Sequence, residues 1–412
     1  MRADLDAVVV GAGPNGLAGA ITLARAGRSV LVLEAAESPG GGARSAELTL
    51  PGFVHDVCSA IHPLAAVSPF FASVPLTRHG LELLPFEIPL AHPIDGGRAG
   101  LLYQSVDETV AGLGADGRAW QQLVGWMAAR WDKVAPSVLG PVLRPPRHPL
   151  ALAGFGLRGA PPATWVARRF STDEGAGLFA GCAAHSFLPL NRPLSTSFGV
   201  MLAASGHRAN WPAARGGTGA ITQAMVDLLV ELGGEVRTSS PVRSMADVPP
   251  SQAVLFDLTP RQLVAVAGDG LSATYRRRLE RFRYGPGVFK VDYALREPVP
   301  WANEGCRRAG TVHLGGSVAE VAAAELDVAR GRHPQRPFVL VGQQSLVDPG
   351  RAPPGRHTLW TYCHVPNGSD VDMTGAIESQ IERFAPGFGD VVLARHAAGA
   401  GWYEDYNANN VG

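Results

Sequence analysis

Lysine is almost missing from this chain. Of the 36 basic side chains among its 412 residues, only Lys133 and Lys290 are lysines, a bias that a GC-rich bacterial genome produces without any functional cause. Charge of either sign is sparse: Asp, Glu, Lys and Arg make up 17%, against roughly 25% in an average domain. The 36 acids balance the 36 bases, which argues against a nucleic-acid binder with its basic excess. Cysteine is limited to Cys58, Cys182, Cys306 and Cys363. None is spaced from another for a redox pair or a metal site, and all four read as small buried thiols of a cytosolic protein. HExxH, a Cys/His cluster, a GxSxG elbow and a Walker A loop are all missing, so no metal site, serine hydrolase or nucleotide triphosphatase is expected. No stretch is long and clean enough for a transmembrane helix. Asp4 and Asp6 interrupt what would be a signal core. No internal repeat is visible.

What is present is an ordinary globular composition, 46% hydrophobic, with 50 glycines and 33 prolines. The length predicts two or three domains or one two-lobed enzyme. A core of this size needs no metal or disulfide staple. The first 34 residues read as a βαβ unit. Ala7 to Val10 is a continuous apolar run, as in a buried parallel strand. Leu17 to Ala26 is a helix closed by Gly27, and Val30 to Leu33 is a second strand. Residues 105 to 135 are predicted helical, with Trp120, Leu123, Trp126 and Met127 on one face. The Pro-rich stretch 136–163 is expected to be an insertion or lid. Helices are predicted over Thr172 to Cys182 and Ala220 to Leu232, and strands over Glu235 to Arg237, Ala253 to Leu258, Val288 to Leu295, Phe338 to Gly342 and Thr358 to His364.

The chemistry-bearing motif is Gly11-Ala12-Gly13-Pro14-Asn15-Gly16, a GxGxxG between the first strand and its helix. Glu34 ends the next strand, completing the context of a dinucleotide site. Gly11 permits the tight turn, Gly13 lets backbone approach a pyrophosphate, and Gly16 lets helix and strand pack. The helix N-terminus then offers unpaired N–H groups and a positive dipole end to the phosphates. Glu34 would accept from the adenosine ribose hydroxyls. Ala35 follows it, and then the doublet Gly40-Gly41, with Gly42 and Arg44 just beyond.

This doublet after the ribose acid resembles the glutathione-reductase-like FAD proteins, as seen in amine oxidases and phytoene desaturases. The run from Leu48 to Phe71 and the return from Ala214 to Met245 resemble phytoene desaturase relatives. Tyr284 to Leu295 does so too. The nearest branch is the bacterial relatives of pyridine nucleotide-disulfide oxidoreductase domain-containing protein 2. The resemblance implies an α/β chain with a glutathione-reductase-like Rossmann domain over 1–75 and 214–285. A mixed-sheet and helical substrate domain would cover 76–213 and 286–412. FAD is the implied cofactor, and Val242 matches the position whose backbone holds the adenine. Arg44 would contact the diphosphate or the substrate side of the flavin, or stand as a solvated loop arginine. Two departures stand out. Relatives carry Arg directly after the doublet, where this chain has Gly42. They also continue past Tyr406 to Gly412 into a flavin-closing segment, which predicts a C-terminally truncated chain that binds FAD poorly or not at all.

His55 and His62 fall where the resemblance brings the chain near the flavin ring, to position substrate or to serve as structural histidines. The proline-broken, apolar 60–93 stretch could touch a membrane peripherally or guide a greasy substrate, with core wall as the default. The reading is an FAD-dependent oxidoreductase taking a hydride from an apolar small molecule, isoprenoid or lipid-like, and passing electrons to an unidentified acceptor. Alternatives are a flavin-dependent isomerase, an amine oxidase, a lipid or prenyl-protein escort on the same fold, and an NAD-dependent dehydrogenase.

Overall fold

The computed structural model describes residues 5–140 and 144–412. In chain order the elements used below begin with β1 Leu5–Val10, α1 Pro14–Arg25, β2 Val30–Leu33, β3 Ile88–Ile94 and β4 Arg98–Leu102. Helices α2 Pro149–Gly159, α3 Asp173–Ala184, α4 Ser195–Ala209 and α5 Gly219–Glu231 follow. Next come β5 Glu235–Arg237, β6 Ser251–Phe256, β7 Gly287–Leu295, β8 Ala309–Leu314, β9 Val339–Gly342, β10 His357–Val365 and β11 Val392–Ala398.

Two sheets organise this α/β chain. The first is wholly parallel, in the order β6-β1-β2-β5. Its two central strands are apolar along their length because both faces are covered; Val8, Val9, Leu31 and Val32 are essentially inaccessible. Helices α1 and α5 close one face through Leu17, Ile21, Met225 and Leu229, and each such aliphatic side chain contributes about 1.5–3 kcal/mol by leaving water. The second sheet has seven strands, β11-β7-β10-β9-β8-β3-β4, and is antiparallel except where β8 pairs with β3. Chain from 5–33 and 235–256 therefore builds the first sheet, and chain from 88–102 and 287–398 the second.

A third layer is helical. The stretch predicted as one helix over 105–135 is broken: Val106–Gly112 ends before a glycine-containing turn, and Gln121–Gly125 forms a π-helical turn. Trp120, Leu123 and Met127 nevertheless face one core with α3 and α4. The break follows from Gly112, Gly114 and Gly117; a Cβ on Gly117 would stand 2.3 Å from the Val110 carbonyl oxygen. Within 136–163 the described residues hold α2, and 141–143 lie outside them. The 60–93 stretch is mainly wall: Val74, Leu76, Leu81, Phe86 and Ile88 are buried. Among the described residues no helix is long and apolar enough to cross a membrane.

The two halves are tied by a buried ion cluster. Arg351 is 1% exposed. Its guanidinium donates to Asp56 at 2.5 Å, to Asp348 at 3.1 Å and to the Ala214 carbonyl at 2.7 Å. Asp56 also accepts from the Ser45 hydroxyl and the Thr218 N–H, at 2.9 and 2.6 Å. Removing one partner of such a pair strands the others as uncompensated buried charges. Arg351→Met is therefore expected to lose about 3–5 kcal/mol of stability. Urea denaturation of both proteins checks this, and an unchanged midpoint would refute it.

Candidate active site

The glycine turn after β1 is built by close approach. Gly11 has φ of +104°, and a Cβ on Gly16 would lie 2.1 Å from the Gly11 carbonyl oxygen. Gly13 is the N-cap of α1, Pro14 occupies the first helical position, and Asn15 is exposed in the first turn. Ala12 is fully buried, and its N–H donates to Glu34 at 2.8 Å. Gly40 and Gly41 both have positive φ, and a Cβ on Gly41 would come within 3.1 Å of the Gly13 Cα. Doublet and turn thus form one Cβ-free cradle. Gly42 faces Cys58 instead.

Glu34, at the end of β2, also accepts the Ala36 N–H at 2.9 Å and an ion pair from Arg44 at 3.2 Å. Arg44 donates further to the Ser38 carbonyl at 2.7 Å and stacks over Tyr406. Its guanidinium therefore sits on Glu34. Ala35 is exposed beside it. Val242 packs against the Val8, Leu31 and Leu33 side chains, and the Ser239 and Ser240 N–H groups just before it bond Ala36 and Glu34.

One member of this region is not apparent in the motif. Asp257, just past β6, accepts the Gly16 N–H at 2.8 Å. Burial is the main cause that raises its carboxyl above the ordinary range; the Gly16 N–H opposes this and Glu34 adds to it. It places an acid at the N-terminal end of α1. Asp257→Asn keeps an acceptor and removes the charge, so FAD should bind roughly three- to tenfold tighter. A titration showing unchanged or weaker binding would contradict this.

A cavity of about 690 Å³ opens between the two halves, lined by the 58–65 segment, Trp211, Leu340, Trp360 and Tyr362 among others. The Asn407–Asn410 turn links it to the cradle: the Asn407 amide lies by Gly41, and Asn409 bonds Asp257 and Thr259. Lys290 is the one cation on the cavity wall among the described residues, and no Asp or Glu lines it. Lys290 and Asp292 alternate on one face of β7, where they form a buried ion pair. Burial drives the Asp292 carboxyl up to about 6 despite Lys290.

The two sequence-predicted histidines part company. His62 lines the cavity, with Nε2 3.0 Å from the Thr218 hydroxyl. That hydroxyl donates to the Ser59 carbonyl, so His62 Nε2 carries the proton. His55 stands behind the wall, 3.7 Å from Asp292 and 2.7 Å from the Thr49 hydroxyl. Burial first, and then nearby cations, lowers His55 to about 3; burial lowers His62 to about 4. Both are neutral at pH 7. Lys290 was legible in principle: a rare lysine in an apolar strand, two residues from an acid, marks a paired buried charge. Among the described residues no three His, Cys, Asp or Glu side chains gather as metal ligands.

Comparison with known proteins agrees with this geometry. Residues 9–73 match the NAD(P)-binding Rossmann-like domain family. A segment of 45 residues is 56% identical to hydroxyneurosporene desaturase of Rhodobacter capsulatus, covering 11% of this chain and 9% of that protein. The match thus spans under a tenth of the desaturase. Among solved structures, putrescine oxidase bound to putrescine is 18% identical with a TM-score of 0.61, over 96% of this chain and 85% of that one. An oxidoreductase from Methanosarcina mazei is also 18% identical at 0.61, over 97% and 89%. Rab GDI from Plasmodium falciparum is 12% identical at 0.56, over 96% and 88%. These likenesses establish the fold, a Rossmann-type α/β architecture shared with amine oxidases, over nearly the whole chain.

Proposed function

We propose that this chain is an FAD-dependent oxidoreductase of the desaturase and amine-oxidase type, acting on a C–H bond of a neutral, apolar substrate. The observation that carries this is the Cβ-free cradle of Gly13 against Gly41, beside Glu34 and continuous with an apolar cavity. The residues present suit FAD. The cradle and the α1 N-terminus would hold the diphosphate, and Glu34, freed from Arg44, the ribose. Bound FAD would supply the hydride acceptor, which explains why no acid–base dyad faces the cavity. Trp360, Tyr362 and Trp211 orient a greasy molecule and exclude water. Lys290 is charge-paired with the buried Asp292, so the wall presents no uncompensated charge to the substrate. A wall with no carboxylate to pair with an ammonium disfavours an amine substrate, so a desaturase-like or isomerase-like reaction is preferred to amine oxidation.

Reconstitution with FAD tests the reading. The holoprotein should show a flavin absorption band that bleaches anaerobically with an isoprenoid substrate and returns with a redox acceptor. Persistence of the band with every apolar substrate, beside bleaching by amines, would favour amine oxidation. A colourless protein that binds isoprenyl lipid would be an escort instead.

A further inference from the structure

The overall neutrality of the chain conceals a local excess. Residues 133–226 hold nine of the 36 basic side chains and only two of the 36 acids, Asp173 and Glu174. Two arginines of this stretch are ion-paired, Arg208 with Asp132 and Arg215 with Glu82. In contrast, Arg144, Arg147, Arg168, Arg169 and Arg192 are exposed, and no ion pair forms to them among the described residues.

Along the chain these cations lie next to apolar side chains that point outward. Leu150 and Leu157 of α2 are 89% and 79% exposed, with Ala153 between them on the same face. An ordinary surface helix places polar groups on that face. Trp165, Leu194 and Phe198 are 63%, 58% and 51% exposed. The elements carrying them form one local unit. The Leu194 N–H donates to the Ala160 carbonyl, the Thr164 N–H to the Leu190 carbonyl, and the Ala163 N–H to the Ser195 hydroxyl. Phe198 and Leu64 both line the cavity and are half exposed, which makes them its mouth.

We propose that this surface (α2, the Ala163–Val166 helix and the first turn of α4) docks on an anionic phospholipid bilayer, setting the cavity mouth against the lipid. Outward leucines and a tryptophan flanked in the chain by exposed arginines without ion pairs match the chemistry of an acyl boundary beneath phosphate headgroups. Continuity between patch and mouth gives an apolar molecule a path that never crosses water. The use of that path rests on the oxidoreductase reading; the docking does not, and it is measured without FAD or substrate.

The test is flotation of the purified full chain with two kinds of vesicle, phosphatidylcholine alone and equal parts phosphatidylcholine and phosphatidylglycerol. Partition into the anionic vesicles is expected to be at least about tenfold stronger, and to fall toward the neutral level at about 0.5 M salt. Leu150→Glu with Leu157→Glu, and separately Arg168→Glu with Arg169→Glu, should each lower it about tenfold. These side chains are exposed, so circular dichroism should be unchanged. Arg277→Glu with Arg278→Glu, on the helix Ala273–Glu280, should leave partition near that of the parent. Equal partition into both vesicles, no partition, or full binding by the leucine variant would overturn the proposal. So would a dimer in sedimentation that Leu157→Glu dissociates while vesicles go unbound, since the patch would then join two copies of the chain.

Discussion

Acid is expected to unfold this protein near pH 5, above the range in which carboxylates titrate. Burial lowers His55 and His185 to about 3, and His62, His92 and His207 to about 4; His313 falls further below 6.5. The unfolded chain binds protons at these six positions that the folded chain refuses. Each histidine's stabilisation is therefore present above about pH 6.5 and is lost as pH falls toward its folded value, by about 1.4 kcal/mol per pH unit. At about pH 5.5 the six together amount to roughly 8 kcal/mol, comparable to the whole stability of an ordinary domain. Asp292 acts the other way. Its folded value is raised to about 6, so its stabilisation is greatest in acid and is lost as pH rises through 6; one group offsets only part of six. The structure shows why the histidines cannot charge in place. His185 and His313 share a 3.0 Å contact between their Nε2 atoms, which requires a proton on one and a lone pair on the other. Gly181 leaves no room for retreat, since a Cβ there would lie 2.8 Å from the His313 Nδ1. Urea midpoints at pH 7.5 and 5.5 measure the effect, and equal midpoints would show that the buried imidazoles accept protons without unfolding.

Gly16→Ala is expected to abolish FAD binding, a loss of at least about a hundredfold in affinity. The added carbon would stand 2.1 Å from the Gly11 carbonyl oxygen. That oxygen belongs to the backbone of the turn, so no side chain can rotate aside. Helix α1 must shift along its axis, and the N–H groups at its end leave the cradle that Gly13 and Gly41 define. A stability cost of about 2–4 kcal/mol should accompany this. Gly156→Ala is the control: it lies in α2 with nothing within 4 Å of the new carbon, and a small gain of up to about 1 kcal/mol is expected from helix propensity. FAD titration by flavin fluorescence, with urea denaturation, separates the two. Binding by Gly16→Ala within threefold of the parent would remove the glycine turn as the cofactor site.

The sequence by itself determined the βαβ unit, its glycine turn and Glu34. Those features are local: strand, turn, helix and acid follow within 34 residues, and each glycine answers a backbone constraint inside that span. It also located the strands at 235–237, 251–256, 287–295, 339–342 and 357–365 as apolar or alternating runs, but not Ile88–Ile94, Arg98–Leu102, Ala309–Leu314 or Val392–Ala398, where prolines, glycines or polar residues interrupt the pattern. The broken 105–135 segment was less legible, since its glycines interrupt a helix whose apolar face persists through a π-helical turn. Only the tertiary structure decided where charges meet. Asp257 reaches Gly16 across 241 positions, and Arg351 reaches Asp56 across 295. His55 and His62 are seven residues apart, yet one stands behind the cavity wall and the other on it, because a short strand and a loop turn them to different sides. The arginines of 133–226 could be counted in the sequence, but only folding shows that Arg208 and Arg215 find acids while Arg144, Arg147, Arg168, Arg169 and Arg192 are exposed without an ion pair among the described residues. Pairing, burial and exposure depend on which distant segments arrive at the same place, and a linear pattern carries that information only for neighbours.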